Sequence, residues 1–371
     1  MKERTTDPPA SPERERWRAG NGQRTRPPRL SPAERDDPPA IARHERAGGG
    51  QATDQILRLG VVGVGYLGEL HAQKYAAMED IDLVGLADTD FERAQEIARR
   101  HNTKAYNGHT ELLPYVDGLS LAVPTVSHFA IGHDILTHGV HLLVEKPITL
   151  KLEDADRLIE TAKKNNAILQ IGHIERFNPA VVKMESLVSK PLFIESHRLN
   201  FFTKRSTDVD VVLDLMIHDL DIILHLVNSE IKEIDAFGMP VMSDKIDIAN
   251  VRIMFANGTV ANLTASRVSN ESLRMIRIFQ PDTYISVDYG ERRISVTQLK
   301  GERKGFADLP PLVHREDRFP DSDPLADEIR SFVEAIRKGT EPKVSGVDGK
   351  NALAVALSII DQIKGKTKTI S

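Results

Sequence analysis

The sequence predicts two domains in series: a doubly wound α/β domain on a parallel sheet, then an α+β domain built on an open antiparallel sheet. Three observations carry this. From Leu57 to Ile171, short apolar runs alternate with amphipathic helical stretches over short connections, as parallel strands crossed over by helices require. The first of those runs feeds directly into a G-x-G-x-x-G turn, Gly63 to Gly68. Beyond Gly172 the pattern changes to long alternating strands joined by turns, with few helices, which implies an antiparallel sheet covered on one face.

Taken in order, strands are predicted at Leu57–Val64, Asp82–Ala87, Lys104–Tyr106, Leu119–Val123, His141–Val144 and Ala167–Ile171. The stretches Phe91–Arg100, His128–His138 and Leu152–Asn165 repeat apolar residues at helical spacing. A helix over Pro179–Val188, a strand over Leu192–Arg198 and a helix over Val211–Val227 open the second half. Strands then follow at Ile234–Met242, Asp247–Phe255, Thr259–Arg267, Arg274–Gln280, Ile285–Tyr289 and Arg293–Leu299. Asn257-Gly258 between two of them signals a type I′ hairpin. A final helix is expected over about Gly349–Gly365. These readings divide the chain into a tail (1–54), a nucleotide-binding domain (55–175) and a domain for substrate binding and self-association (176–371).

The glycine turn carries the first chemical inference. Gly63 allows a tight turn, Gly65 lets the backbone approach a pyrophosphate, and Gly68 lets the following helix pack closely on its strand; the helix N-terminus then faces the phosphates, as in a Rossmann domain. Tyr66 and Leu67 complete the turn and are placed with the glycines at the cofactor. Asp88 ends the second strand 20 residues beyond Gly68, where a carboxylate accepts hydrogen bonds from an adenosine ribose. That carboxylate repels the extra phosphate of NADP, so NAD is the expected cofactor. Arg93 is the one nearby cation that could soften this preference. The bland alternative is a Gly-rich turn in another α/β protein, against which strand, helix and acid stand together.

Composition excludes several classes. At 371 residues the chain is too long for one ordinary core. It has no cysteine, so disulfides, thiolate metal sites and a cysteine nucleophile are out, and a reducing compartment fits. No apolar run approaches the roughly 20 residues that span a bilayer, and the N-terminus lacks the apolar centre of a secretory signal; a cytoplasmic protein is expected. The net charge of −5 hides a tail in which residues 1–50 hold 11 Lys and Arg, 8 Asp and Glu, and 8 of the 20 prolines. Such a segment cannot offset its ordering entropy and reads as disordered. Its mixed charge and lack of interleaved aromatics argue against a nucleic-acid or membrane partner.

With cysteine absent, the chemistry falls to His, Lys, Asp and Glu. Lys146, in Glu145-Lys146-Pro147, ends the fifth strand at the sheet edge where ligands bind. A strand-ending Lys is often only a solvated charge, but beside a positively charged nicotinamide its pKa falls and its proton comes into play. Asp214, His218 and Asp221 are spaced i, i+4, i+7, so a helix puts them on one face, with His225 continuing the stripe. His218 suits a hydroxyl proton acceptor, and a carboxylate one turn away can orient it. A solvated polar face and a divalent-metal site are the rival readings. Leu213, Leu215, Met216 and Ile217 argue against the first, and a nearby Lys146 opposes a metal.

Together the glycine loop, the E-K-P triplet and the Asp-x-x-x-His helix with Asp221 beyond it resemble the Gfo/Idh/MocA (glucose-fructose oxidoreductase/inositol dehydrogenase) family, over about Ile56 to Thr369. The resemblance implies a catalytic set of Lys146, Asp214 and His218, with His218 as acid/base and Asp221 lining the substrate pocket. It implies that Pro124, Thr125, His128, Glu145 and Lys146 build the nicotinamide side. The run Gly172–Pro179 contains the family's Arg-Phe-x-Pro pattern and makes Arg176 and Asn178 substrate candidates; capping of a helix by Asn178 is an equally physical reading. Val209 to Leu213 departs from the Gly-Gly pair that many members carry there. The substrate class implied is a sugar, polyol or nucleotide sugar. The runs Gly172–Pro179 and Thr207–Asp221 look most like the branch oxidising the 3-hydroxyl of UDP-N-acetylglucosamine-type sugars, and Lys204 and Arg205 are placed to receive a diphosphate. An NAD-dependent glycosidase on the same scaffold and a non-catalytic NAD-binding regulator remain as alternatives. Apolar residues on both sides of Val251–Phe255 and Met275–Phe279 lead to an expected homodimer or homotetramer through the second sheet.

Overall fold

The computed structural model describes residues 56–203, 209–301 and 310–370; the N-terminal tail and the pair Lys204 and Arg205 lie outside the described residues. Six strands, β1 (Leu57–Val62), β2 (Ile81–Ala87), β3 (Lys104–Tyr106), β4 (Gly118–Leu121), β5 (His141–Glu145) and β6 (Leu169–Gly172), form one sheet in the order β3-β2-β1-β4-β5-β6. Every pairing in it is parallel. Helices α1 (Tyr66–Ala77), α2 (Phe91–Arg100), α3 (His109–Leu112), α4 (His128–Thr137) and α5 (Leu152–Lys164) fill the crossovers. The strand order reverses between β1 and β4, which opens the crevice in which such sheets bind ligands. Leu59 and Val61 enter the core on one face of this sheet, while Val62, Leu119 and Leu142 enter that on the other.

The second sheet has eight strands: β7 (Phe193–Leu199), β8 (Ile231–Met239), β9 (Ile248–Phe255), β10 (Val260–Ser266), β11 (Leu273–Gln280), β12 (Thr283–Asp288), β13 (Arg293–Leu299) and β14 (Leu312–Arg318). Their order is β14-β13-β12-β11-β7-β10-β9-β8. The sheet is antiparallel as expected except where β7 lies parallel to β10; the chain crosses over before β8, and because β8–β9 and β9–β10 are both antiparallel, β10 runs in the direction of β8 and β7. Helix α6 (Pro179–Glu185) precedes it, and α7 (Ile217–Val227) packs on its inner face with the C-terminal α9 (Gly346–Ile370). Val251, Ile253 and Phe255 of β9 and Ile276 and Ile278 of β11 point into that core.

Two local expectations are corrected. The β9–β10 hairpin forms at Asn257-Gly258, but only Gly258 has positive φ, at 88°. Gly258 N–H donates to the Phe255 carbonyl and Phe255 N–H to that of Thr259. This is a type I turn closed by a left-handed glycine, not type I′, which needs two left-handed residues. The segment after β13 holds strand β14 and helix α8 (Pro324–Lys338), neither of them predicted. Helix α8 returns to the first sheet: Leu325, Ile329, Phe332 and Val333 share a core with Leu59, Leu83 and Tyr75. Asp80 receives Arg330 and Arg337, each at 2.6 Å, and these hydrogen bonds hold its carboxyl down to about 2.

Candidate active site

Strand β1 ends in Gly63, whose φ of 83° admits glycine readily and whose absent Cβ would lie 2.7 Å from the Ala122 carbonyl oxygen. A Cβ on Gly68 would stand 1.8 Å from the Gly63 oxygen, so α1 lies against the turn only because Gly68 has none. Gly65, in contrast, faces open space. No side chain caps α1, leaving its first N–H groups free for an anion, and Tyr66 and Leu67 stand exposed beside them. The three glycines therefore give, in turn, a tight bend, an open backbone face and close packing of α1.

Asp88 sits 7% exposed at the end of β2. One carboxylate oxygen accepts the Val64 N–H at 2.8 Å; the other accepts the Asp90 N–H at 2.9 Å and Arg93 Nη2 at 2.8 Å. Burial alone would raise this carboxyl, but the Asp90 and Val64 N–H groups and Arg93 outweigh it and hold its pKa below the usual value. Arg93 is thus a direct partner of Asp88 and more than a bystander. Across the crevice, Pro124 is exposed and Thr125 half-buried at the start of the turn before α4. His128 is 1% exposed; its ring nitrogens lie 2.9 Å from the Pro147 and Val123 carbonyl oxygens. It braces the two loops that flank the crevice, and burial pushes its pKa down.

At the end of β5, Glu145 Oε1 lies 3.0 Å from His71 Nε2 on α1, and His71 Nδ1 lies 3.0 Å from Ser120 Oγ. Neither His71 nor Ser120 stands out in the sequence, although His71 falls on the buried stripe of α1 with Gly68, Ala72 and Tyr75. Glu328 of α8 is fully buried near this pair; burial, then Glu145, raises its pKa far above the carboxylate range. Among the described residues, His71, Glu145 and Glu328 are the ones whose ligand atoms gather within 4.8 Å. The stripe Asp214, His218, Asp221 and His225 does not gather in this way.

Lys146 Nζ donates to the Asp214 backbone carbonyl at 2.7 Å and lies 3.8 Å from the Asp214 carboxylate. Asp214 is in a π-helical turn, Val212–Met216, that leads into α7; such turns recur at functional sites. Within the run Val209 to Leu213, Val211 and Val212 are fully buried. Burial lowers the Lys146 pKa, opposed by Asp214 and Glu145. His218 is half-buried, with its Nδ1 inside the protein and without a hydrogen-bond partner. Burial, then the positive Lys146 and Arg198, puts its pKa well below 6.5. Asp214 thus pairs with Lys146, and the expected Asp214 support of His218 is replaced by cationic surroundings.

Arg176 and Asp221, 2% and 3% exposed, lie 3.6 Å from one another, with Glu185 3.3 Å from Arg176 on the other side. They form an ion group in which Arg176 and Asp221 are buried. Asn178 Oδ1 caps α6 by accepting the Ala180 N–H, and its Nδ2 donates to the Tyr289 carbonyl, so the capping reading describes its place. The sequence reading missed Arg198 and Asp219. Arg198 Nε and Nη2 donate to the two Asp219 oxygens at 2.9 Å each, and its Nη1 to Glu175 at 3.0 Å. A signal existed: alternation in β7 puts Arg198 on the inner face with Ile194, and an inward charge needs a buried partner.

Residues 57–173 match the oxidoreductase family with an NAD-binding Rossmann fold, and residues 180–284 match the GFO/IDH/MocA C-terminal domain. The chain belongs to the Gfo/Idh/MocA oxidoreductase family. It is 40% identical to a UDP-N-acetylglucosamine 3-dehydrogenase of Acidithiobacillus ferrooxidans over 82% of this chain and 96% of that relative. The crystal structure of that enzyme superposes with a TM-score of 0.78 at 39% identity, covering 83% of this chain and 98% of the other. A myo-inositol 2-dehydrogenase of Thermotoga maritima is 27% identical over 84% of this chain and 97% of its own. The family therefore supplies an NAD-binding domain where the glycine cradle and Asp88 lie, and an enzyme class, dehydrogenation. Among the described residues no helix is long and apolar enough to cross a membrane.

Proposed function

We propose that this Gfo/Idh/MocA member transfers a hydride between nicotinamide and a hydroxyl-bearing sugar carbon, with C3 of UDP-N-acetylglucosamine as the favoured substrate position. The observation that carries it is the joining of Lys146 to Asp214 at the sheet edge beside a His218 held neutral. The 40% identity to a UDP-N-acetylglucosamine 3-dehydrogenase supports the choice of sugar. Bound NAD supplies the hydride acceptor. The chain supplies the proton chemistry: the C–H bond yields its hydride, the O–H bond yields its proton to His218, and a carbonyl forms. Lys146 presents a cation to the oxygen as negative charge grows on it, the moment at which a fixed donor is most useful. Asp214 holds that ammonium in place. NADH formation, measured against UDP-N-acetylglucosamine, myo-inositol and free sugars, tests the proposal; NADH from inositol alone would move the substrate to the polyols.

Cofactor choice follows from Asp88. The chain should bind NAD more tightly than NADP, and Asp88→Ala should narrow the gap, since it removes a charge and releases Arg93 Nη2 from its carboxylate partner. Fluorescence titration with both reduced cofactors measures this. Tighter NADPH binding by the unaltered protein would contradict it.

Self-association is proposed through the outer face of the second sheet. Phe237 and Met239 of β8 and Phe279 of β11 are exposed there, and Phe193, Phe279 and Tyr284 form an aromatic row with centroids 5.6 and 5.0 Å apart. An apolar sheet face of this kind suits isologous pairing. Light scattering at about micromolar concentration should give at least a dimer, and Phe237→Arg should weaken it. A fully active monomer would refute the assignment.

A further inference from the structure

His173 follows β6 directly and is 1% exposed, yet both of its ring nitrogens are buried without a hydrogen-bond partner. Its ring meets that of His218 edge to face, with centroids 6.3 Å apart and planes at 88°. The inward-facing Nδ1 of His218 is also without a partner. Three buried, unsatisfied nitrogens on two adjacent rings are costly, on the order of 1–3 kcal/mol for each group left unpaired. A hydrogen bond from one ring to the other, direct or through one water, would pair one nitrogen of each.

We propose that His173 is the positioning residue for His218: it accepts the His218 Nδ1–H, directly or through one water, and so leaves the His218 Nε2 lone pair facing the substrate. This rests on His218 being the acid/base. A neutral imidazole donates from one nitrogen and accepts at the other, and the bond made by the first decides the state of the second. Asp214 makes no hydrogen bond to the His218 Nδ1, which is without a partner; its carbonyl accepts Lys146 Nζ at 2.7 Å and one carboxylate oxygen lies 3.8 Å from that ammonium. The charged groups around His173 are Asp221, Lys146, Arg176 and Glu145, and those around His218 are Lys146, Arg198, His173 and Arg274. Burial disfavours a charge on His173, so it serves as a neutral acceptor. Asp221 is the first of the acids whose charge acts on His173.

The test is the ring tautomer of His218, read from long-range proton–nitrogen correlations in full-length protein labelled with ¹⁵N-histidine, with the signal assigned by its loss in His218→Gln. The unaltered protein should carry the proton on Nδ1. His173→Phe, which keeps the ring and removes the nitrogens, should shift His218 toward the Nε2–H form and reduce kcat by about 10–100-fold with KM little changed. His173→Gln, which restores an acceptor, should return the Nδ1–H form. An Nε2–H tautomer in the unaltered protein overturns the proposal with no variant needed, as does an unchanged tautomer in folded His173→Phe, whatever its turnover. Full activity in His218→Ala would instead overturn the acid/base reading, which the tautomer measurement does not depend on.

Discussion

His218→Ala should reduce turnover about 10²–10⁴-fold, the usual effect of removing a general acid/base, while NAD affinity stays unchanged. The separation follows from placement. His218 is on α7 of the second domain, whereas the glycine turn lies between β1 and α1 of the first. The pH profile gives a second reading of the same group. Burial and the flanking cations hold the His218 pKa well below 6.5, so the ring stays a competent base as the solution passes below that value. The acid limb of kcat/KM should lie below 6.5 in the unaltered protein and should vanish with the residual rate in His218→Ala. Near wild-type turnover in the variant would remove His218 from the mechanism.

Lys146→Ala should cost about 10²–10³-fold in kcat, comparable to loss of one donor aimed at a developing oxyanion. Stopped-flow hydride transfer measured beside NADH affinity separates this from a binding defect. The ammonium is anchored by the Asp214 carbonyl at 2.7 Å, and Asp214→Asn keeps that carbonyl while removing the charge 3.8 Å away. Asp214→Asn should therefore be the milder variant. Because burial lowers the Lys146 pKa, the basic limb of the profile should fall below the ordinary lysine value of 10.5. A Lys146→Ala protein with unchanged kcat would show that the cation does not act on the reacting oxygen.

What the sequence made legible were features whose requirements are local. A strand, three glycines at fixed spacing and an acid after the next strand are local features, and the structure has Gly63 at positive φ in the turn, Gly68 against the Gly63 carbonyl and Asp88 accepting the Val64 N–H. Periodicity likewise gave the parallel sheet and most of the second one. Pairings between distant residues were not legible. The i, i+4 spacing suggested that Asp214 supports His218, but β5 brings Lys146 from 68 positions away to claim it. Arg176 and Asp221 read as substrate contacts and meet each other inside the protein. Helix α8 was missed although Asp323 caps it, Pro324 starts it and Gly339 ends it with φ 61°, a start and stop that sequence rules do recognise.

The central claim, hydride transfer from a sugar carbon at this site, is tested most directly by following one atom. The purified chain is incubated with NAD and UDP-N-acetylglucosamine carrying deuterium at C3, and the nicotinamide product is examined by mass spectrometry. The account predicts NADH carrying one deuterium in place of hydrogen, one mass unit heavier than normal, formed in step with a 3-keto sugar nucleotide. Intact NAD beside unchanged substrate, or free sugar released with no net NADH, would contradict it.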